Sequence, residues 1–370
     1  MSGHTSSRDS SWRAAVPGLC LAFVLALSAK VAAQELGSWL MHGSGPPVSP
    51  VLFAVLLGVL WRNLVGVGRR AEQGVRWVMH TLLRVGIALV GLRLTLHGVT
   101  SVGLTALPVA LGCIIVAMVT SVAVGRALGI SNPLLLLIAV GTAVCGCTAV
   151  VAATPATRAR PEEAGVALMC VVLIGSIGML AYPWLAAEIF GTAALPAGLF
   201  LGTAIHDTSQ VLGASLIFAQ QFGVPDVVAV AGVTKLVRNL SILVLVPLLA
   251  WVSRERSVGG AAPATAALQR SQVFPDFVVW FVLLVIVRTV ADAAFETSPA
   301  ASHAWSVAVG AVQSISELLL VCGMTAVGLS ISASQFRGAG WRPLCTAVVV
   351  AVAVALCSLF LIHAIGHDVP

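Results

Sequence analysis

The sequence predicts an all-α, polytopic membrane protein, and two observations lead to that fold class. Of the 370 residues, 59% are hydrophobic and 9% are charged, whereas an ordinary soluble domain carries about 25% charged residues. Apolar runs of about 18 residues or more, each able to cross roughly 30 Å of hydrocarbon as a helix, recur along the chain. The alternating segments that are typical of an outer-membrane barrel do not occur.

Eleven apolar segments follow one another, so we expect about 9–11 membrane segments in a single integral membrane domain over residues 1–370. The first segment can also be interpreted as a cleaved signal peptide, but its run is longer than a signal core and more segments follow, which favours a transmembrane helix. The segments lie near 15–34, 48–61, 78–97, 104–125, 133–155, 164–186, 195–220, 226–252, 273–291, 304–330 and 341–364.

Basic loop residues give the predicted orientation, because cytoplasmic loops of membrane proteins are enriched in Lys and Arg. Such loops explain the net charge of +6, which therefore does not require a nucleic-acid partner. We expect a cytoplasmic N-terminus, a periplasmic C-terminus and one long cytoplasmic linker, 253–272. The arginines that then face the cytoplasm are Arg62, Arg69, Arg70, Arg76, Arg254, Arg256, Arg270, Arg337 and Arg342.

The loop that contains Arg158 and Arg160 leaves two topologies open. If the segment 133–155 crosses the membrane completely, both arginines lie outside, but if it enters and returns as a re-entrant hairpin, they lie inside. The segment 195–220 is then a second hairpin that enters from the other side. A helix that breaks halfway and continues across is the competing interpretation, and the charge pattern favours the hairpins.

Two internal repeats are typical of a secondary transporter. Residues 86–103 align without gaps to 323–340, and the predicted topology gives the two copies opposite directions, as in inverted-topology repeats. Residues 138–155 align in the same way to 199–216, and both copies contain Gly-Thr-Ala. The repeat-related parts of the chain are about 48–155 and 195–364.

Small and hydroxyl residues interrupt the apolar run at the centre of the second repeat. Such interruptions suit a place where a helix unwinds, and unwound backbone at membrane depth is tolerated only where it faces protein or a water-filled cavity. Paired interruptions in two halves are typical of a midplane binding site. We therefore expect substrate contacts at Cys145, Gly146 and Thr148 in one copy, and at Thr208 and Ser209 in the other.

Three polar residues, Lys235, Arg238 and Asn239, share one helical face of the segment 226–252. They lie near mid-depth, where a Lys or Arg costs about 2.5–3.5 kcal/mol on insertion scales. Such a cost persists where the charge faces a cavity, a counter-ion or a substrate, so we predict that all three bind substrate. A structural ion pair or snorkelling is the alternative.

His206 and Asp207 lie inside an otherwise apolar stretch and admit three interpretations. They are a proton relay, because imidazole titrates near neutral pH, or they bind a cation, or they orient the basic pair. Glu317 in the tenth segment is a further candidate for coupling, with a role as an internal ion-pair partner as the alternative. We predict a coupling or proton-carrying role for these three residues.

The sequence does not indicate an enzyme. It contains no Walker loop, nucleophile elbow or H-E-x-x-H motif, so ATP-driven and hydrolytic chemistry have no support. Cys145 and Cys147 could hold a soft metal, but cysteines two apart diverge on a regular helix and no further cluster completes the coordination shell. We expect no metal site and no cofactor.

Several motifs resemble the YeiH-type family, whose members carry the label of sulfate exporters. They are AVGTAVCGCTAV (139–150), GTAIHDTSQV (202–211) and VTKLVRNL (233–240), together with LLGVLWRN (56–63) and LLRVGIALVGLRLTL (82–96). Thr148 departs from the pattern, because the family commonly has Ser after Cys-Gly-x. The resemblance implies a bacterial inner-membrane protein with a fold distantly similar to sodium/proton antiporters and bile-acid symporters.

The resulting hypothesis is a secondary transporter of a small anion, with sulfate or a related sulfur oxyanion as the leading candidate and export as the expected direction. Two cations at mid-depth and the positive N-termini of half-helices suit such an anion. The expected partners are this anion, a proton or sodium ion, the lipid bilayer and a second copy of the chain in a homodimer. A cation/proton antiporter with Asp207 as cation ligand and Lys235 as proton carrier is the first alternative. A non-transporting scaffold or sensor is the second.

Overall fold

The computed structural model describes residues 6–41, 49–241, 244–245, 248, 276–295, 298–333 and 340–366. Within these ranges the chain forms α-helices, one 3₁₀ turn and short connections, which confirms the predicted all-α class. The linker predicted at 253–272, with its three arginines, and Arg337 lie outside the described residues.

The helices follow the predicted segments, and the segments 133–155 and 195–220 are each divided into two shorter helices. In chain order they are α1 (Ser6–Met41), α2 (Pro50–Leu64), α3 (Arg69–His80), α4 (Leu82–Val90), the 3₁₀ turn (Gly91–Arg93), α5 (Leu96–Ala127), α6 (Asn132–Ala143), α7 (Cys147–Thr157), α8 (Pro161–Phe190), α9 (Ala194–Ala204), α10 (Thr208–Phe222), α11 (Asp226–Leu240), α12 (Asp276–Phe295), α13 (Pro299–Ser330) and α14 (Trp341–Gly366).

Six stretches of the described chain are long and apolar enough to cross a membrane, so the protein is a polytopic membrane protein. They are Val16–Glu35, Arg69–Arg93, Leu96–Ala127, Pro161–Phe190, Pro299–Ser330 and Trp341–Ile365. Four further apolar helices, α2, α6, α7 and α9, are shorter. The stretch Arg69–Arg93 begins before the predicted segment 78–97. The charged residues in the first turns of α3 lower its hydropathy, so the apolar pattern in the sequence marks only the part that continues into the apolar α4.

The helices pack into two compact units. Unit 1 contains α1–α4 and α13 with most of α12, and unit 2 contains α5–α9, α11 and α14 with most of α10.

In unit 1, α4 and α13 meet through reciprocal contacts. A Cβ atom added to Gly86 would lie 3.0 Å from the side chain of Leu320, and one added to Gly323 would lie 2.7 Å from the side chain of Leu83. Gly86 matches Gly323 in the first repeat, and Leu83 matches Leu320 when that alignment is extended upstream. Each copy therefore places its glycine against the leucine of the other copy.

Both copies in unit 1 also end in the same way. The N–H of Leu94 donates to the carbonyl of Gly91 at 3.1 Å, and the N–H of Ile331 donates to the carbonyl of Gly328 at 3.1 Å. These two residue pairs occupy matching positions of the repeat. The direction of each copy in a membrane stays a prediction.

A pair of polar side chains holds the backbone just beyond these ends. The N–H of Leu96 donates to Oγ1 of Thr289 at 2.8 Å, and the N–H of Ala333 donates to Oδ1 of Asn63 at 2.7 Å. The donors match in the repeat, and the acceptors match if LLGVLWRN (56–63) is aligned with VLLVIVRT (282–289). This third correspondence was not predicted from the sequence, although the shared Arg before each acceptor was a signal for it.

Unit 2 holds α9 and α11 in close contact. A Cβ atom added to Gly202 would lie 2.7 Å from Cβ of Thr234, and one added to Gly198 would lie 2.5 Å from Cβ of Val230. Small residues at such a crossing let two helix backbones approach closely, as is common between membrane helices. This contact brings the polar face of α11 to the C-terminal end of α9.

Candidate functional site

Two helix breaks in unit 2 define the candidate site. The first break, residues 144–146, separates α6 from α7, and the second break, residues 205–207, separates α9 from α10. Both lie where the sequence predicted interruptions, and they occupy matching positions of the aligned segments 138–155 and 199–216.

Gly146 gives the first break its shape. Its backbone has φ 70° and ψ −121°, a conformation that essentially only glycine adopts without strain. Its N–H donates to the carbonyl of Gly141 at 3.1 Å, so α7 begins beside the last turn of α6. Whether either broken segment is re-entrant in a membrane stays a prediction.

Arg238 on α11 binds the carbonyl ends of both α6 and α9. Its Nε donates to the carbonyl of Ala143 at 2.7 Å, and its Nη2 donates to the carbonyl of Thr142. Its Nη1 donates to the carbonyls of Thr203 and, at 3.2 Å, of Ile205. A guanidinium group has five N–H donors, and this side chain uses most of them in hydrogen bonds to the backbone of the two breaks.

Lys235, one turn earlier on α11, binds the breaks in the same manner. Its Nζ donates to the carbonyls of Val144 at 2.7 Å, Ile205 at 3.1 Å and His206. Three acceptors match the three donors of the ammonium form, whereas a neutral amine has only two. The carbonyl arrangement therefore favours a protonated Lys235.

The backbone at the breaks accounts for the burial of these two cations. Lys235 and Arg238 are both 0% exposed, and a buried charge without partners is strongly unfavourable. The last carbonyls of a helix lack partners within that helix and carry the negative end of its dipole. Two such ends converge on α11, so the cations and the carbonyls satisfy each other.

Asp207 lies where α7 and α10 begin, at the positive N-terminal ends of these helices, in contrast to the carbonyl ends of α6 and α9. Its Oδ1 accepts from the N–H of Ser209 at 2.9 Å and from Oγ of Ser209 at 2.5 Å, which caps α10. A Cβ atom added to Gly146 would lie 3.0 Å from Oδ2 of Asp207. The same carboxylate therefore lies against the residue that precedes α7.

The N-terminal turns of α7 and α10 form the less buried side of the site. Asn239 reaches this side from α11, where its Nδ2 donates to Oγ1 of Thr208 at 3.2 Å. The carbonyl side, by contrast, is fully buried. The partly exposed residues around the two turns are Cys147, Thr148, Asp207, Thr208, Ser209 and Asn239.

In unit 2, four buried side-chain polar atoms have no hydrogen-bond partner among the residues that the structure describes. They are Nδ1 of His206, Oε1 of Gln210, Oγ1 of Thr234 and Oδ1 of Asn239. An unpaired buried polar atom costs about 1–3 kcal/mol, so native structures rarely keep one without a reason. Thr234 was not predicted as a site residue, although it directly precedes Lys235 on the same helix.

The structure brings all the predicted site residues except Glu317 into unit 2. Cys145 is 8% exposed beside Gly146, and direct contact between a substrate and any predicted residue stays a prediction. Glu317 lies on α13 in unit 1, where its Oε1 accepts from Nη2 of Arg93 at 2.5 Å. This contact agrees with the ion-pair alternative for Glu317.

Known proteins similar to this chain are membrane proteins of one family. The family model described as "Conserved hypothetical protein 698" matches residues 17–347. The UPF0324 membrane protein RSc1111 of Ralstonia nicotianae is 33% identical over 315 residues, which cover 82% of each chain. The UPF0324 membrane protein Atu0671 of Agrobacterium fabrum is 31% identical over 317 residues, or 84% of this chain and 83% of that one. The UPF0324 membrane protein SAR0338 of Staphylococcus aureus is 25% identical over 346 residues, or 94% and 96%.

The matched region includes both helix breaks and the whole of α11. The names of the relatives describe membrane proteins, which agrees with the apolar helices of this chain. The chain therefore belongs to this family of UPF0324 membrane proteins, which is the YeiH-type family that its motifs resemble.

Proposed function

We propose that this protein is a secondary transporter of a small inorganic oxyanion in a bacterial inner membrane, with sulfate as the leading candidate. One observation supports this proposal most: the two breaks gather two buried cations, Lys235 and Arg238, against one carboxylate, Asp207. The excess positive charge favours an anion nearby, and the N-terminal turns of two half-helices offer N–H groups to bind it.

In this arrangement, the two cations attract an anion mainly through their electric field and not through direct hydrogen bonds. Both donate to backbone carbonyls, so an oxyanion reaches the site from the partly exposed side. There, the first turns of α7 and α10 carry the partly exposed hydroxyl groups of Thr148, Thr208 and Ser209. Hydroxyl and backbone donors of this kind suit the oxygens of sulfate.

Sulfate counterflow into proteoliposomes tests the proposal. We expect the wild-type protein to exchange radiolabelled sulfate, and Thr148→Val to lower the rate because it removes a hydroxyl at the first turn of α7. Thr154→Val is the matched control, since its hydroxyl lies on the same helix and donates to the carbonyl of Val150 at 2.7 Å. Absence of sulfate exchange by the wild-type protein would contradict the proposal.

A cation/proton antiporter is the second candidate, and the oxygen atoms of the site favour it. Asp207, Thr208, Ser209 and the unpaired Oδ1 of Asn239 are the hard ligands that alkali cations bind. Dissipation of a sodium or proton gradient by the protein without any sulfate exchange would replace the anion proposal with this one.

A further inference from the structure

We propose that Asp207 acts as a tethered anion at the substrate site, so that a small oxyanion binds only together with the proton that neutralises this carboxylate. The inference rests on the proposed anion transport and adds the coupling ion and the residue that carries it.

The carboxylate of Asp207 already occupies the donors that an oxyanion would use. Its Oδ1 accepts hydrogen bonds from both the N–H and the hydroxyl of Ser209, at 2.9 and 2.5 Å. The rest of the side chain lies against Gly146, at the residue that precedes α7. One internal anion therefore caps α10 and lies against the residue that precedes α7.

An incoming sulfate meets this carboxylate as a competitor and as a like charge. Hydrogen bonds to an ionised acceptor are roughly twice as strong as neutral ones, so the ionised Asp207 holds the donors of Ser209 firmly. Protonation removes the charge and weakens both hydrogen bonds. The donors are then free for the oxygens of the substrate.

The surroundings of Asp207 supply further polar groups for a ligand. Nδ1 of His206, a residue that is 1% exposed, lies in the same break and finds no partner in the described part of the chain. The charged and titratable groups that surround Asp207 are His206 in its own break, Lys235 and Arg238 on α11, and Cys145 and Cys147 at the other break. The two cations donate their hydrogen bonds to backbone carbonyls of the two breaks.

The direction of the pH dependence follows from linkage. Because proton binding and anion binding assist each other, each raises the affinity of the other by the same factor. In this proposal Asp207 loses its proton as the pH rises, so the affinity for sulfate falls by up to about tenfold per pH unit. A sulfate dianion with one proton carries one net negative charge, which an inside-negative membrane potential drives outward.

Binding of radiolabelled sulfate to the purified full-length protein, measured from mildly acidic to mildly alkaline pH, tests the inference. We expect the affinity of the wild-type protein to fall with rising pH, and Asp207→Asn to bind sulfate with little dependence on pH. Asn caps a helix as well as Asp does, so this variant is expected to fold. Asp226→Asn is the matched control, because Asp226 is an exposed aspartate in the first turn of α11.

The possible outcomes separate the inference from the proposed function. A wild-type slope that Asp207→Asn abolishes and Asp226→Asn retains supports the tethered anion. Sulfate binding that ignores pH in the wild type, follows sodium instead of pH, or keeps its slope in Asp207→Asn overturns this inference alone. Absence of sulfate binding at every pH overturns the proposed function together with it.

Discussion

The two helix breaks of unit 2 have the same length and register, but they differ in the residue that ends them. The first break ends at Gly146, whose backbone takes up a conformation that side chains disfavour. The second break ends at the matching position with Asp207, whose side chain caps the next helix. One copy therefore relies on backbone freedom and the other on a charge.

This difference shows how a repeated segment can become a functional site. The glycine removes the side chain at the first break, and the carboxylate of the second break fills the resulting space. Two identical copies could not do this, because two carboxylates would repel each other and two glycines would leave no charge. The asymmetry between matching positions is thus what places one carboxylate between two helix N-termini.

Arg238 binds both breaks, so its removal is expected to have the largest effect. Arg238→Met removes the side-chain donor of the carbonyls of Thr142, Ala143 and Thr203, whereas the carbonyl of Ile205 keeps its bond from Lys235. We expect a loss of stability of about 3 kcal/mol or more, seen as a lower melting temperature in detergent. Arg238→Lys keeps the charge but not the forked donor geometry, so its melting temperature should lie between those of the wild type and Arg238→Met. Arg126→Met, at an exposed arginine of α5, is the control that should melt like the wild type.

Gly146→Ala is expected to destabilise the first break alone. The new Cβ would lie 3.0 Å from Oδ2 of Asp207, and the backbone would be strained, so we expect a loss of about 1–3 kcal/mol in thermal unfolding. Gly165→Ala on α8 meets no atom within 4 Å and should leave the melting temperature unchanged or slightly raised. Equal melting temperatures for the two variants would show that the first break does not need glycine.

Substitutions of Asp207 test how much the cap of α10 contributes at the second break. Asp207→Ala removes the cap of α10 and should cost about 1 kcal/mol, whereas Asp207→Asn keeps an acceptor for Ser209 and should cost little. Thermal unfolding of both variants at one pH measures the difference. The cap has no stabilising role if Asp207→Ala is as stable as Asp207→Asn.

The smallest expected difference concerns two matching threonines. Oγ1 of Thr142 and of Thr203 each donate to carbonyls of their own helix, but Thr203 also pairs with the buried Oγ of Ser358 at 2.6 Å. Thr203→Val should therefore cost about 1 kcal/mol. Thr142→Val should cost less, because hydrogen bonds of a side chain to its own helix contribute little. A larger effect of Thr142→Val on the melting temperature would contradict this ranking.

The locations of the breaks could be predicted from the sequence. Gly-Thr-Ala followed by polar residues recurs at 141–148 and 202–209, and residues of this kind weaken a helix locally. The shared face of Lys235 and Arg238 also followed from their spacing. These predictions succeeded because they depend on residues that are close in the chain.

The partners of the buried cations could not be predicted in the same way. The carbonyls of Val144 and Thr142 lie 91 and 96 residues from their donors, and a carbonyl has no residue-specific signal in a sequence. Glu317 shows the same limit, since its partner Arg93 lies 224 residues away. Sequence patterns indicated charges inside apolar segments at these positions, but only the packing of distant helices decides what neutralises them.

The reciprocal contacts between α4 and α13 have a consequence for how unit 1 can evolve. Gly86 against Leu320 and Gly323 against Leu83 have the form of a two-fold interface between identical subunits. In a true homodimer, one mutation changes both sides of such an interface at once. Here both sides are encoded separately in one chain, so a substitution such as Gly86→Ala alters one side while the other keeps its packing. A symmetric contact of this kind can drift into an asymmetric one by single steps.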